Sequence, residues 1–490
     1  MPIVDAPKMS YSFDDVLIEP NYSEKMGSEV SVQSQLTAQI GLNIPILSSA
    51  MDTVTESKLA IAIAQQGGMG VIHKNMSPER QAIEVSRVKR FESGMVIDPI
   101  TLDPDSRLED ALAMMSQHGI SGIPITEQKT NRLLGILTNR DVRFARDPKQ
   151  PIAELMTAKN LVTVKRDCPQ EAAIELLHKH RIEKLLVVDD HDCCIGLITV
   201  TDIEKSRAYP QSNKDAQGRL RVAAAISTGA NEFDRAKVLI DAGVDVLVLD
   251  TAHGHSQKVL QQVARVRKAY PDKQIIGGNV ATYGAAKALI DAGVDAVKIG
   301  IGPGSICTTR IVAGIGVPQL SAIWEASAAC KELNIPCIAD GGIRYSGDIV
   351  KALAAGANSV MLGSLLAGTQ EAPGEVVIQQ GRSYKSYRGM GSEAAMARGS
   401  ADRYFQEDIV QQQKYVPEGV EGRVPFKGAL KDMIHQLTGG LRAGMGYIGA
   451  ENLTELQQKA VFRQISTAGM RESHVHDLNM TSEPPNYKPL

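Results

Sequence analysis

A chain of 490 residues is longer than one ordinary hydrophobic core supports, so two or more domains are expected. Its 43% apolar and 22% charged residues are those of a globular protein, and a formal net charge of −3 provides no basic footprint of the kind nucleic-acid binding needs. Only 4% of residues are aromatic against 43 glycines, which favours α/β units with tight turns over an aromatic-rich sandwich.

The opening stretch "MPIVDAPKMSYSFDDV" has no basic segment followed by an apolar one, so no signal peptide is expected, and no apolar run reaches the ~18–20 residues of a membrane span. The six cysteines (Cys168, Cys193, Cys194, Cys307, Cys330 and Cys337) lack framework spacing and are read as reduced thiols of a cytoplasmic protein. The first strand candidates are "PILSSAM" (45–51) and "GMGVIHK" (68–74). They are followed by "RVAAAIS" (221–227), "QIIGGNV" (274–280) and "CIADGGI" (337–343). Three more come from a repeat: "LIDAGVDVLVLD" (239–250), "LIDAGVDAVKIG" (289–300) and the weaker "LAAGANSVMLG" (353–363). Each copy combines a helix end, a glycine cap and a continuous apolar strand, the pattern of a strand buried on both faces. Eight such strands, most of them separated by helical patterns, close most simply into a (β/α)8 TIM barrel. A doubly wound open sheet is the alternative, and the lack of GxGxxG after any strand counts against it.

A second repeat interrupts the barrel after its second strand. "LLGILTNRDVR" (133–143) recurs as "CIGLITVTDIE" (194–204), and the segments upstream, 98–125 and 159–188, run parallel. Each copy is read as a strand, an acidic-capped amphipathic helix, two strands and a further helix start. The pair resembles a tandem CBS (Bateman) module. The expected division is residues 1–92 for the first part of the barrel, 93–207 for the module (about 93–151 and 152–207), and 208–490 for the rest. Cys193-Cys194 has no second Cys or His pair at ligand spacing and is read as two edge-strand residues, not a metal site.

Side chains at the C-terminal ends of barrel strands line one mouth, where barrel sites form. Cys307, in "GIGPGSICTTR" (300–310), lies just past a strand on a glycine-rich stretch. A reactive thiol fits that setting better than an inert buried one, since bare glycine backbone permits close ligand approach and free N–H groups favour a thiolate. Asp250 and Asp340 end strands and could accept from sugar hydroxyls, with helix capping the alternative for Asp250. Asn279 either donates to a substrate or caps a helix. "DGGIRYSGD" (340–348) and "MLGSLLAG" (361–368) follow the last two strands, the usual place of a barrel phosphate cradle. Residues 386–428 show neither helical nor strand period and are read as a mobile lid holding Tyr387, Arg403, Tyr404 and Glu418.

The segments "GPGSICTTR", "ADGGIRYSGD", "YRGMGS" and "EGVEGR", in this order around the paired repeat, resemble the inosine-5′-monophosphate (IMP) dehydrogenase and GMP reductase family. The likeness runs nearly end to end, from "SFDDVLIEP" and "ILSSAMDTVTE" to "AGMRESHVHD". It implies oxidation of IMP to XMP with NAD+, through a Cys307 thioimidate that a flap then helps to hydrolyse. Thr309 would stand beside the reacting carbon, and Arg403 with Tyr404 would activate the water. Ser305, Gly341, Gly342, Gly363, Ser364 and Tyr387 would hold the phosphate, Asp340 the ribose, and Gly389, Met390, Gly391 and Glu418 the purine edge. Asp250, Thr251, Asn279, Gly300 and Gly302 would meet the nicotinamide riboside of NAD+, with His253 nearer the adenosine. A potassium ion would take carbonyls of Gly302, Gly304 and Cys307, completed by Glu472, Ser473 and His474 of the partner subunit. A homotetramer, or an octamer, follows from that sharing. The module would bind purine nucleotides such as ATP or GTP through Asp141 and Asp202, with Thr138 and Thr199 beside them. The competing readings are a GMP reductase and a catalytically silent nucleotide sensor.

Overall fold

The computed structural model describes residues 7–25, 27–91, 96–97, 99–229, 231–409, 411 and 414–487, without the side chains of 96–97, 170, 201–202 and 205–206. The chain forms two compact units. One comprises Met1–Lys89, Gln211–Asn213 and Arg221–Leu490, the other Arg90–Pro210 and Lys214–Leu220.

The first unit is a closed barrel of eight parallel strands. These are β1 (Ile46–Ser48), β2 (Met69–Ile72), β3 (Ala223–Ile226), β4 (Val246–Asp250), β5 (Gln274–Val280), β6 (Ala296–Ile299), β7 (Cys337–Asp340) and β8 (Ser359–Leu362), and β8 pairs back to β1. Each strand lies inside one of the eight segments chosen from their apolar runs. All eight are buried almost throughout, because helices cover the outer face while side chains fill the interior. Leu47, Val71, Ala225, Val248, Ile276 and Ile338 share the interior cluster, and Leu42 of the small antiparallel pair Ser34–Gln35 and Gly41–Leu42 packs into it together with Leu36, just past the first of those strands.

The "DAGVD" repeats are helix ends. Gly243, Gly293 and Gly356 have φ of 88°, 108° and 120°, the left-handed region that reverses the chain from helix into strand at little cost only for glycine. At Gly356 a Cβ would also stand 2.5 Å from the Ser327 hydroxyl oxygen.

Two expectations need correction. The 386–428 stretch is not devoid of regular structure: Arg382–Arg388 continues into it, and Glu421–Pro425 pairs antiparallel with that strand. Glu421–Pro425 is mostly exposed, and the buried positions of Arg382–Arg388 are Lys385 and Tyr387, so no apolar alternation marks the pair. Cys194, for its part, opens an inner strand (Cys194–Thr199) that has residues 96–97 on one side and Lys184–Val188 on the other. Its thiol is buried and pushed up to about 11 by that burial.

The second unit contains two similar arrangements. Helix Leu108–His118 is followed by paired strands Gly122–Thr126 and Leu133–Thr138, and helix Gln170–His180 by Lys184–Val188 and Cys194–Thr199. Each has its own apolar cluster, around Ile123, Ile125 and Leu137 in one and Leu177, Leu185 and Val187 in the other. A third cluster of Ile136, Leu186, Cys194 and Leu197 joins the two. Among the described residues no helix is long and apolar enough to cross a membrane.

The cap geometry gives a test. Gly356→Ala should lower stability by about 1–3 kcal/mol, since the substitution meets both a positive φ and a close hydroxyl. The midpoint of urea unfolding should fall accordingly, and an unchanged midpoint would contradict the assignment.

Candidate active site

The C-terminal ends of β4, β5, β6 and β7 meet at one buried ammonium. Lys298 projects from β6 with 1% of its surface exposed. Its Nζ donates to Asp250 Oδ1 at 2.8 Å, to Asp340 Oδ2 at 2.7 Å and to Asn279 Oδ1. Asn279 Nδ2 donates to Asp340 Oδ2 at 3.0 Å and to the Gly300 carbonyl at 2.7 Å. A lysine on a strand buried on both faces is tolerated only with such partners. Neither Asp250 nor Asn279 caps the helix that follows it, because Ser256 and Thr282 hold those positions. Thr251 turns its hydroxyl to the Gly278 carbonyl at 2.8 Å.

The cysteine loop runs from β6 across this mouth. Gly300 (φ 147°) and Gly302 (φ 76°) have backbone conformations and close neighbours that a side chain would not tolerate; at Gly300 a Cβ would run into the Asp340 carbonyl. The Cys307 amide donates to the Gly304 carbonyl at 3.0 Å, which curls the loop and leaves the thiol half-buried, 3.1 Å from the Thr309 hydroxyl. The far side of the loop is zippered to residues 418–420. The Thr308 amide donates to the Glu418 carbonyl at 2.9 Å, the Val420 amide to the Ile306 carbonyl at 2.9 Å, and Cys307 bridges Gly419.

On one side of the thiol lies a cradle of small residues. Ser305, Gly341, Gly342, Gly363 and Ser364 line the same pocket as Cys307 and Asp340. Gly341 and Gly342 have φ of 91° and 79°, and Ser364 opens the short helix Ser364–Ala367. The Tyr387 ring closes the cradle, and a Cβ on Gly363 would stand 2.9 Å from its hydroxyl. Burial pushes the Tyr387 phenol up, against a hydrogen bond with Ser305, so it stays neutral and able to donate.

On the other side lies the segment that carries Arg403 and Tyr404. Arg403 lies against Asp250 Oδ2, and its carbonyl accepts from the Ala252 amide at 3.0 Å. Tyr404 is half-buried, its ring 2.7 Å from where a Cβ on Gly391 would be. Burial raises its phenol, and the Arg403 guanidinium works in the opposite sense. Met390 lines the pocket, while Gly389 and Gly391 act through backbone: the Gly389 amide donates to Val420 and the Gly391 carbonyl accepts from Glu418, both at 3.0 Å.

Several anticipated residues lie elsewhere. His253 is exposed, its ring beside that of His255, and does not line the pocket. Glu472, Ser473 and His474 are expected to serve the site of a partner subunit, and in this chain His474 Nδ1 is 3.0 Å from the Tyr487 hydroxyl. Among the described residues no cluster of three His, Cys, Asp or Glu is placed to hold a metal, so a cation here would depend on backbone carbonyls. In the second unit the Asp141 carboxylate accepts from the Thr138 amide (2.7 Å) and hydroxyl (2.6 Å), capping Asn139–Val142, and Thr199 ends the equivalent strand. The Asp202 side chain lies outside the described residues. Sequence reasoning missed Lys298, although the lysine among the apolar residues of "AVKIG" marks it. It also missed Asp52, a neighbour of Arg388. Burial works against the Asp52 charge, yet hydrogen bonds from Arg388 and Asn75 hold the carboxyl below its usual range.

A thiol, a charge-balanced acid pair and a small-residue cradle collected at the C-terminal end of a parallel barrel define a (β/α)8-barrel enzyme. Comparison with known proteins narrows the class. Residues 10–476 match the IMP dehydrogenase / GMP reductase domain, and the chain belongs to that family. It is 60% identical over 471 residues to an inosine-5′-monophosphate dehydrogenase of Rhizobium tropici, covering 96% of this chain and 94% of that one. It is 57% identical over 483 residues to the protein of that name from Aquifex aeolicus, covering 98% of each. Among solved structures it resembles a cysteine-to-alanine variant of Trypanosoma brucei GMP reductase in complex with guanosine 5′-monophosphate. That match has a TM-score of 0.87 and 40% identity, over 97% of this chain and 99% of the other.

Replacing Lys298 by methionine leaves two carboxylates facing each other in a buried mouth. Unfolding by guanidinium should show a loss of about 3–5 kcal/mol, and a wild-type midpoint would rule out the ammonium as the element that binds the strand ends together.

Proposed function

We propose that the protein oxidises IMP to XMP with NAD+ and water. The observation that carries this reading is the placement of Cys307 and Thr309 in one pocket with Asp340, the glycine-serine cradle and the docked Arg403-Tyr404 pair. Membership of the family supports it.

The cradle of Ser305, Gly341, Gly342, Gly363, Ser364 and Tyr387 binds the phosphate through amides and hydroxyls, and Asp340 accepts from the ribose. Gly389, Met390 and Gly391 bound the purine edge, where Glu418 accepts from N1–H and so polarises the base. The Cys307 thiolate adds to C2 of the purine, and the hydride expelled from C2 passes to NAD+, which is consumed as a co-substrate. The product of that step is a thioimidate. Water then adds to C2 and loses a proton, the C–S bond breaks, and XMP leaves with the thiolate regenerated. Arg403 and Tyr404 orient and activate that water, with the Thr309 hydroxyl on its other side.

Arg403 lies where Asp250, Thr251 and Asn279 would receive the nicotinamide riboside, so flap and dinucleotide use the same ground in turn. NADH leaves before hydrolysis. Gly300 and Gly302 border that ground, and His253, on the exposed rim, fits the adenosine end. A potassium ion held by carbonyls of Gly302, Gly304 and Cys307, and by Glu472, Ser473 and His474 of the partner subunit, would stiffen the cysteine loop. The glycine loop fits such an ion through its carbonyls. Sharing the site makes the protein a homotetramer, or an octamer of two, and it works in the cytoplasm. The second unit acts as a tandem CBS module that takes purine nucleotides such as ATP or GTP at Asp141 and Asp202, beside Thr138 and Thr199.

A GMP reductase is the alternative reading: the trypanosomal structure carries that name at 40% identity, while the relatives at 60% and 57% identity are named dehydrogenases. The purified protein should form NADH from IMP, NAD+ and K+; consumption of NADPH with GMP and none of that activity would establish the reductase. Cys307→Ser should lower turnover at least about a thousandfold, and near-normal turnover would dismiss the covalent route. Arg403→Ala should slow hydrolysis while sparing hydride transfer, and equal slowing of both would remove Arg403 from the hydrolytic step.

A further inference from the structure

We propose that Lys74 positions the flap: its ammonium grips Asp402, the residue immediately before Arg403, and through it sets where Arg403 and Tyr404 stand for hydrolysis. The inference rests on the assignment of those two residues to the hydrolytic half of the reaction.

Lys74 sits two residues beyond β2 and is 7% exposed. Its Nζ donates to Asp402 Oδ2 at 2.8 Å and to the Gly399 carbonyl at 3.3 Å, so a barrel side chain holds the flap at two points. The side chains of the pair are 8% and 12% exposed, which makes the contact a desolvated one and not a surface ion pair. Residue 399 is a glycine at φ 126°, a backbone conformation that side chains rarely adopt, and beside it lies Asn75, whose buried Oδ1 has no hydrogen-bond partner among the described residues.

A second acid makes the contact reversible. Glu232, at the start of helix Glu232–Asp241, places Oε1 3.7 Å from Lys74 Nζ. Glu232 is fixed independently of the flap. It accepts from the Ser227 amide at 2.7 Å and from Arg235 Nε at 3.0 Å, and Arg235 donates onward to Gln81 Oε1 at 2.8 Å. When the flap leaves, Asp402 goes with it to water while Lys74 keeps Glu232 as a counter-charge. Neither state strands an unpaired buried ammonium, so the flap can exchange with the dinucleotide on each cycle. Asp402 is the natural grip because it adjoins Arg403, which lies on Asp250, and Tyr404, which packs on Gly391. A displaced Asp402 moves both.

Lys74→Met and Asp402→Asn remove the grip from either side, and Asp402→Glu keeps the charge. The first-turnover burst of NADH, read by stopped flow with IMP and NAD+, should stay within about twofold of wild type, while steady-state turnover falls about tenfold or more. The KM for NAD+ should drop as the flap competes less for Asp250, and Asp402→Glu should recover part of the turnover. Burst and turnover falling together in Asp402→Asn would show a general structural role and overturn the proposal, as would wild-type turnover in both variants. Arg403→Ala separates this from the underlying reading. If Arg403→Ala is selective for hydrolysis and the two grip variants are not, only the role of Lys74 fails; if Arg403→Ala slows both halves equally, the assignment beneath it fails as well.

Discussion

The barrel mouth depends on one buried cation between two acids. Lys298 brings the ends of β4 and β7 to a single point from β6, and Asn279 adds β5 by donating to Asp340 while accepting from the ammonium. Removed from water, each of these groups alone would be costly, and together they satisfy one another. Two carboxylates against one ammonium leave a surplus negative charge, and in this structure Arg403 of the flap supplies the balance on Asp250. In the proposed reaction the same surplus would receive the cationic nicotinamide of NAD+ in place of Arg403, so that one electrostatic arrangement would serve both halves.

Backbone does the rest of the positioning. The loop that carries Cys307 has little side-chain mass to anchor it, and its shape comes from positive-φ glycines, the Gly304 turn and the zipper to residues 418–420. That zipper ties the thiol to the same excursion that carries Arg403 and Tyr404. The root of the excursion is pinned by Arg388, whose Nε is 3.1 Å from Asp52 Oδ1. The cysteine loop and the segment that carries Arg403 and Tyr404 are therefore held on a common framework.

The barrel was legible in the sequence because strands covered on both faces appear as unbroken apolar runs, and because the "DAGVD" repeats announce left-handed helix ends. Cys307, Asp340 and the two glycine loops could be placed at the mouth from their positions after strands. What stayed hidden was polar. Lys298 lies in an apolar strand, where pattern reading rewards the neighbours and passes over the charge. Lys74 and Asp402 are 328 residues apart, and no local spacing links them. In the sheet containing Arg382–Arg388 and Glu421–Pro425 one strand is mostly exposed and the buried positions of the other are a lysine and a tyrosine, so it lacks the apolar alternation that would have revealed it. Asp250 was correctly placed at a strand end, but its tie to Lys298, and that of Asn279, required the closed barrel to be seen.

The central claim is that the Cys307 sulfur becomes bonded to the purine during turnover. Acid quenching of the enzyme while it cycles on IMP and NAD+, followed by proteolysis and mass spectrometry, tests this most directly. The peptide that contains Cys307 should carry the added mass of the oxidised nucleotide, and that mass should vanish once substrate is exhausted. An unmodified Cys307 peptide throughout turnover, or an adduct on another residue, would contradict the account.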